Sequence, residues 1–236
     1  MAGIVEHVGS SPELVALMLA DARLPTGGHT QSAGLEAAVR AGLGCVQPGD
    51  GRALGEIAAY ARSRLQTVVR VEAGAAVVAR HLVLTGGDPL TVVPHWAART
   101  PSRALRAASE RIGRGYLRLA ERIWPAVLDH LPRDAELARP VVLGVIGAVT
   151  GLDAAQVARL VAYDDAQTVV AASLKLLPVD PADAAGWLVS LHPAIEDVVL
   201  DVRDLVDCDQ IPACGAPLVD CYAETHAIQR MRLFHA

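Results

Sequence analysis

The chain has 236 residues and a formal net charge of −5, with 26 acidic against 21 basic side chains. Nucleic-acid-binding proteins usually carry a clear basic surplus, so this balance argues against a DNA or RNA partner. A chain of this length can bury a substantial core without disulfide bonds. Its hydrophobic residues (52%) are mainly alanine, leucine and valine, and only 3% of residues are aromatic. Alanine and leucine lose little entropy in a helix, so the composition predicts closely packed helices.

The sequence shows no targeting or membrane signal. The N-terminal stretch lacks a basic region, and its apolar run over 14–20 is broken by Asp21. The longest apolar run, 140–152, has about 13 residues against the roughly 20 that span a bilayer. We therefore expect a cytoplasmic protein without a membrane span, with its four cysteines reduced.

The first two predicted helices flank a glycine-containing loop. A helix begins after Ser11, a good N-cap, and is expected to end at Pro25. Apolar residues at spacings of three and four then predict a second helix over 32–41. Thr30 or Ser32 is its expected N-cap.

Helical periodicity continues to the C-terminal region. The further predicted helices cover residues 51–84 (as one helix or two), 102–129, 136–149, 153–177, 181–191 and 193–206. Residues 85–89 and 207–217 have the composition of turns or loops, and the stretch from there to Phe234 is predicted as a last helix or an ordered tail. No alternating pattern indicates a strand. We predict an all-α fold, with residues 1–236 forming a single globular, bundle-like domain.

The stretch RLPTGGHTQSAGLEAAV, residues 23–39, fits no ligand-loop template. A P-loop needs Lys and Ser or Thr after its last glycine, but His29 follows Gly28. A nucleophile elbow needs glycine two residues before the serine, and Ser32 has Thr30 there. We therefore interpret the glycines as a turn that launches a helix and presents His29, Thr30, Gln31 and Glu36 outward as a candidate contact surface.

Three cysteines and a histidine near the C-terminal end leave a second interpretation open. Cys208, Cys214, Cys221 and His226 are close in sequence, whereas Cys45 is distant. Structural zinc sites usually contain a tight C-x-x-C pair, which is missing here. Free cysteines are often small buried hydrophobes, and the alternative is a Cys/His-based metal-binding or redox protein.

Charge stripes favour protein contacts over catalysis. Arginines recur along one predicted helix at 111, 114, 118 and 122, and aspartates along another at 197, 201 and 204. Segregated charges at helical spacing suit docking to another protein. No nucleophile is paired with a base and no carboxylate pair is indicated, so no catalytic residue is predicted and we expect no enzyme.

Four motifs in chain order point to one known family. They are residues 23–39; RALRAASERIGRGYLRL, with Arg103, Arg106 and Gly113; AASLKLLPVDP, with Lys175 and Pro178; and GAPLVDCYAETHAIQRMRLFHA, with Pro217, Leu218, His226, Gln229, Arg232, Leu233 and Phe234. Together they resemble the UreF family of urease accessory proteins over essentially the whole chain. His29 replaces the family's commoner aromatic residue, and Ala227 stands where the family usually has glutamate.

The resemblance implies an all-α, homodimeric accessory protein and not an enzyme. UreF-like proteins bind the UreD/UreH scaffold and recruit the GTPase UreG, and the complex delivers nickel to apo-urease with GTP hydrolysis. No permanently bound cofactor and no metal ligands of this chain are implied, because nickel is handled by the complex.

The resemblance also assigns partner-binding residues by position. Pro25, Gly27, Gly28, His29 and Glu36 are expected to form or support a partner-facing surface, with Lys175 near the GTPase-facing side. Arg232, Leu233 and Phe234 are expected to become ordered against UreD/UreH, as part of a flexible segment over 208–236. One large aromatic side chain on such a segment can anchor folding upon binding.

Overall fold

The computed structural model describes residues 11–44 and 52–235. The first ten residues, Cys45 and the predicted helix start at Gly51 lie outside these ranges. The described part contains ten α-helices and four short 3-10 helices, and no strand. The predicted all-α fold is confirmed.

The α-helices follow one another along the chain with short connections. They are α1 (Pro12–Leu19), α2 (Leu35–Arg40), α3 (Arg52–Gln66), α4 (Val68–Thr85), α5 (Val92–Ala98), α6 (Arg103–Ile123), α7 (Arg139–Thr150), α8 (Ala154–Leu176), α9 (Pro181–Val202) and α10 (Pro217–Ile228).

Helix α4 lies at the centre of the core. It packs against α7, α8 and α9, while α8 also packs against α9 and α6 against α7. Small buried residues, such as Ala73 and Ala76 of α4, let its neighbours come close. A Cβ added to Gly144 of α7 would overlap the carbonyl oxygen of Ala76. The closely packed helices predicted from the composition are therefore present.

Two helix limits follow from local sequence. The stretch 51–84, predicted as one helix or two, is interrupted at Thr67, whose φ of −126° and ψ of −97° lie outside the helical region. Helix α8 begins at a capping box in which the Gln156 N–H donates to Asp153 and the Asp153 N–H donates to Gln156, at 2.7 and 2.8 Å.

The predicted limits of α1 and α2 were wrong. Helix α1 ends at Leu19, well before Pro25. Helix α2 begins only at Leu35, because Gly34 occupies the cap position with a left-handed φ of +80°. Thr30 is not its N-cap, since its hydroxyl donates to the Gly27 carbonyl at 2.7 Å.

At two prolines, the observed helices also differ from the predicted ones. Helix α6 ends at Ile123 and not at residue 129, because Pro125 disfavours helical geometry at Trp124; a 3-10 helix follows over Pro125–Asp129. Helix α9, in contrast, continues through Pro193, where two helices were predicted. Buried side chains on both sides of Pro193 pack into one core, which offsets the lost backbone hydrogen bond.

Helix α5 was not predicted from the sequence. None of the described helices is long and apolar enough to cross a membrane.

Candidate functional site

The α1–α2 loop, residues 20–34, is built directly on the backbone of α6. Gly27 has a φ of +89°, a conformation that glycine adopts without strain, and it turns the chain into the 3-10 helix Gly28–Thr30. A Cβ on Gly115 of α6 would overlap the carbonyl oxygen of Thr26. The position of the loop therefore depends on a glycine about ninety residues away.

The end of this loop is fixed by α3. The Tyr60 hydroxyl donates to the Ala33 carbonyl at 2.8 Å. A Cβ on Gly34 would lie 2.9 Å from that hydroxyl oxygen, in a backbone conformation that other residues avoid. Together these contacts set the direction in which α2 and Glu36 leave the loop.

Glu36, in the first turn of α2, is buried, with 1% of its surface exposed. Its carboxylate accepts hydrogen bonds from Arg40 at 2.8 Å and from His226 Nε2 at 3.0 Å. It also accepts the backbone N–H groups of Leu233 and Phe234, both at 3.0 Å. The predicted outward orientation of Glu36 is wrong, because these donors hold its buried carboxylate inward.

The C-terminal segment, residues 229–235, is docked against α2 and the α1–α2 loop. Phe234 is 4% exposed, and the ammonium group of Lys175 lies 5.2 Å from the centre of its ring. The His235 N–H donates to the Thr30 carbonyl at 2.8 Å. Phe234 is thus packed within its own chain in this structure, and ordering of the segment against UreD/UreH remains a prediction.

Hydrogen bonding keeps Glu36 ionised in this buried position. Burial alone would raise the pKa of Glu36, but the bonds from His226 and from the two backbone N–H groups hold it below its ordinary value. Because an ionised carboxylate only accepts, His226 Nε2 carries the proton in their hydrogen bond.

Residues assigned from the sequence meet around a small cavity. It has a volume of about 100 Å³, and Gly28, His29, Lys175 and Phe234 are among its lining residues. His29 and Lys175 are exposed, and so is Pro25 on the same loop, whereas Gly27 and Gly28 are half-buried. Arg232 and Leu233 are exposed on the C-terminal segment. Partner binding by these residues remains a prediction.

A larger cavity of about 360 Å³ is lined in part by buried charged side chains. Arg139 donates to Glu72 at 3.0 Å and to Asp164 at 2.8 Å. Arg64 makes a two-pronged contact with Asp165, at 2.9 and 2.6 Å. These ion pairs join α3, α4, α7 and α8 beneath the cavity.

The pKa values of two neighbouring aspartates of this cluster are shifted in opposite directions. Burial raises the pKa of Asp164 in spite of Arg139. Burial acts in the same direction on Asp165, but Arg64 outweighs it and leaves the pKa of Asp165 below its ordinary value. The charged form of Asp165 beside Arg64 is therefore more strongly favoured than the charged form of Asp164 beside Arg139.

Sequence reasoning missed the buried charges and the contacts of Glu36. Arg40 could have been found, since it stands four residues after Glu36 on one helix face. Glu72 and Arg139 carry no such signal, because they are distant in sequence and only packing brings them together.

The cysteines and His226 are not gathered into a metal site. Cys208 and Cys214 are half-buried and Cys221 is exposed, while His226 is bound to Glu36. Within residues 11–44 and 52–235, no group of His, Cys, Asp and Glu side chains is placed to hold a metal ion. The Cys/His interpretation is therefore not favoured.

The predicted charge stripes are partly engaged within the chain. Arg114 of the basic stripe pairs with Glu136 at 2.8 Å, and Asp201 of the acidic stripe pairs with Arg70 at 2.8 Å. Arg111, Arg118 and Arg122 are exposed on α6. Docking by these stripes remains a prediction.

Comparison with known proteins identifies the family. The family model UreF matches residues 53–192. The chain is 36% identical over 228 residues to the urease accessory protein UreF of Mycobacterium sp. (strain JLS), and 36% identical over 220 residues to that of Mycolicibacterium vanbaalenii. It is 35% identical over 225 residues to that of Mycobacterium marinum, and each match covers 92% of this chain and 96% of the relative. The chain belongs to the UreF family of urease accessory proteins.

Proposed function

We propose that this urease accessory protein bridges the UreD/UreH scaffold and the GTPase UreG, and couples GTP hydrolysis to nickel delivery into apo-urease. It acts as a cytoplasmic homodimer through protein contacts, without catalytic residues of its own. Nickel is the cargo of the complex, and no cofactor is bound permanently to this chain.

The observation that carries the proposal is the meeting of residues matched to three separate family motifs. His29 belongs to the first motif, Lys175 to the third and Phe234 to the last, and all three line the small cavity. The three residues come from segments far apart in the sequence, and the fold brings them to one place on the molecule. Their convergence supports a shared role at one partner-facing region.

The exposed groups around this region suit two different partners. His29 and Lys175 offer polar and cationic contacts, which suits the proposed GTPase-facing side. Ile228, Met231 and Leu233 are 82%, 81% and 70% exposed, and large exposed apolar side chains are typical anchors of protein interfaces. They support docking of the UreD/UreH scaffold at the end of α10 and the C-terminal segment.

The test is co-purification with UreD/UreH and UreG, combined with urease activation in a strain that lacks its own UreF. The intact chain should retain both partners and restore urease activity when supplied with its cognate factors. A chain truncated before Arg230 should lose the UreD/UreH scaffold. Failure of the intact chain to activate urease, with all partners expressed, would contradict the proposed role.

A further inference from the structure

We propose that the larger cavity, of about 360 Å³, binds a small molecule through a carboxylate or phosphate group. The anionic group accepts hydrogen bonds from Arg64 and Gln31, and Arg99 and Arg111 attract its charge. This binding site goes beyond the proposed function and does not depend on the proposed partners.

The first argument is a pair of buried hydrogen-bond donors without acceptors. Arg64 lines the cavity and is 5% exposed; its Nε and Nη2 donate to Asp165, but its Nη1 has no partner among the described residues. Tyr60 lies close to this guanidinium, but its hydroxyl is engaged with the Ala33 carbonyl at 2.8 Å. Gln31 lines the same cavity, and its Nε2 is also buried without a partner within the described part of the chain. Buried polar groups are rarely left unpaired, so both donors need an acceptor.

The second argument is that three carboxylates of the cavity wall already have guanidinium partners. Arg139 donates to Glu72 and to Asp164, and Arg64 donates to both oxygens of Asp165. These carboxylates are therefore engaged within the chain, whereas the two unpaired groups named above are donors. A ligand that offers acceptor oxygens complements this wall better than a cation does.

The one other carboxyl among the described residues of the wall is Asp220 of α10. Burial raises the pKa of Asp220, and the charge of Glu224 acts in the same direction. In its charged form Asp220 repels an anion, so its replacement by a neutral residue provides a sensitive test of the ligand's charge.

The third argument is the positive charge of two further arginines of the wall. Arg99, directly after α5, donates to the backbone carbonyls of Ile211, His95 and Asp209, at 2.8, 3.0 and 3.3 Å. Arg111 of α6 is exposed. Neither forms an ion pair with a carboxylate in residues 11–44 and 52–235. A cleft with uncompensated arginines attracts anions, and guanidinium groups match the geometry of carboxylate and phosphate.

The size and the apolar part of the cavity indicate a molecule larger than a lone ion. Small-molecule sites have volumes of roughly 300–1,000 Å³, and they combine apolar walls with a few polar groups. Val69, Leu105 and Ile112 supply apolar wall here. They would contact the uncharged part of the ligand while the arginines hold its anionic group.

The experiment is an NMR titration of the isolated full-length protein, separately with inorganic phosphate and with acetate, at an ionic strength held constant with sodium chloride. At least one of the two anions should shift the Gln31 side-chain amide signals and the backbone amides of 104–112 saturably, with a dissociation constant of about 10 mM or lower. The anion that binds more tightly identifies the group that the site prefers. Absence of a saturable shift with both anions would overturn the proposal.

Three variants assign the binding to this cavity. Gln31→Glu replaces the donor by a carboxylate and should weaken anion binding at least about tenfold. Arg111→Gln removes an exposed charge and should weaken it about threefold, whereas Asp220→Asn should strengthen it. Because Arg111 is exposed, its variant keeps the test valid if Gln31→Glu does not fold.

The matched control is Arg118→Gln. Arg118 is also exposed on α6, but it does not line the cavity, so its replacement should leave the anion affinity unchanged. Equal affinity in Gln31→Glu and the wild type, or equal weakening in Arg111→Gln and Arg118→Gln, would overturn the site.

Discussion

Glu36 and Phe234 stand 198 positions apart in the chain, and the carboxylate of the first accepts the backbone N–H of the second at 3.0 Å. This contact joins the beginning of α2 to the C-terminal segment. It connects the family's first motif with its last. A substitution in either motif should therefore alter the structure of both.

Acid should release the C-terminal segment. A carboxyl group whose folded-state pKa is lowered stabilises the fold above its ordinary pKa, and this contribution is lost as the pH falls through the lower, folded value. Between pH 7 and 5 the contact should persist, since Glu36 stays ionised. Below about pH 4 protonation should begin to remove it.

This release is measured from the amide NMR signals of Leu233 and Phe234 during an acid titration. The other charged groups near the contact are Arg40 on α2, His226 on α10, Lys175 on α8, and Arg232 and His235 on the C-terminal segment itself. All of them are basic groups that carry no negative charge, so none of them can replace the lost carboxylate charge. If the acid transition persists unchanged in Glu36→Gln, a group other than Glu36 is responsible for it.

The buried pair of Arg64 and Asp165 should be costly to break. Asp165→Ala leaves the guanidinium buried without its partner, and we expect a loss of about 3–5 kcal/mol in the free energy of unfolding. Glu196→Ala breaks the exposed pair with Arg159 and should cost about 0–1 kcal/mol.

Urea denaturation of the two variants checks this difference. The double variant Arg64→Met/Asp165→Leu should recover most of the loss, since apolar residues of similar volume need no charge partner. If Asp165→Ala is no more destabilising than Glu196→Ala, the buried pair is not a significant element of the fold.

Gly115 should tolerate no side chain. Gly115→Ala places a Cβ against the carbonyl oxygen of Thr26, and the resulting shift of the α1–α2 loop should cost about 1–3 kcal/mol. Gly186→Ala on α9 meets no atom within 4 Å and should stabilise the protein by up to about 1 kcal/mol through helix propensity. Thermal unfolding of both variants gives the comparison, and a neutral Gly115→Ala would show that the loop can move away freely.

The exposed apolar residues of the C-terminal region should matter for binding and not for stability. Replacing Ile228, Met231 and Leu233 together by serine should weaken UreD/UreH binding at least about tenfold, because a few residues carry most of the binding energy of an interface. Leu200→Ser, at a similarly exposed leucine on α9, serves as the control for general surface effects. Equal scaffold affinity in the triple variant and the wild type, measured by calorimetry, would place the interface elsewhere.

Most of the helices were predictable because their signals are local. The capping box at the start of α8 is formed by residues only three positions apart, and the α7 and α8 predictions agree with the structure within a few residues. Errors arose where packing overrides local preference. Pro193 lies inside α9 because buried residues before and after it share one core.

The helical composition, most helix positions, the family motifs and the glycines that the α1–α2 loop requires could all be read from the amino-acid sequence. The direction in which the motif residues face follows from the packing of the helices. Glu36 turns inward and Phe234 is buried because their partners come from the opposite end of the chain and from α8. Burial and hydrogen bonding between distant residues depend on how the helices pack, and no spacing along the chain encodes that arrangement.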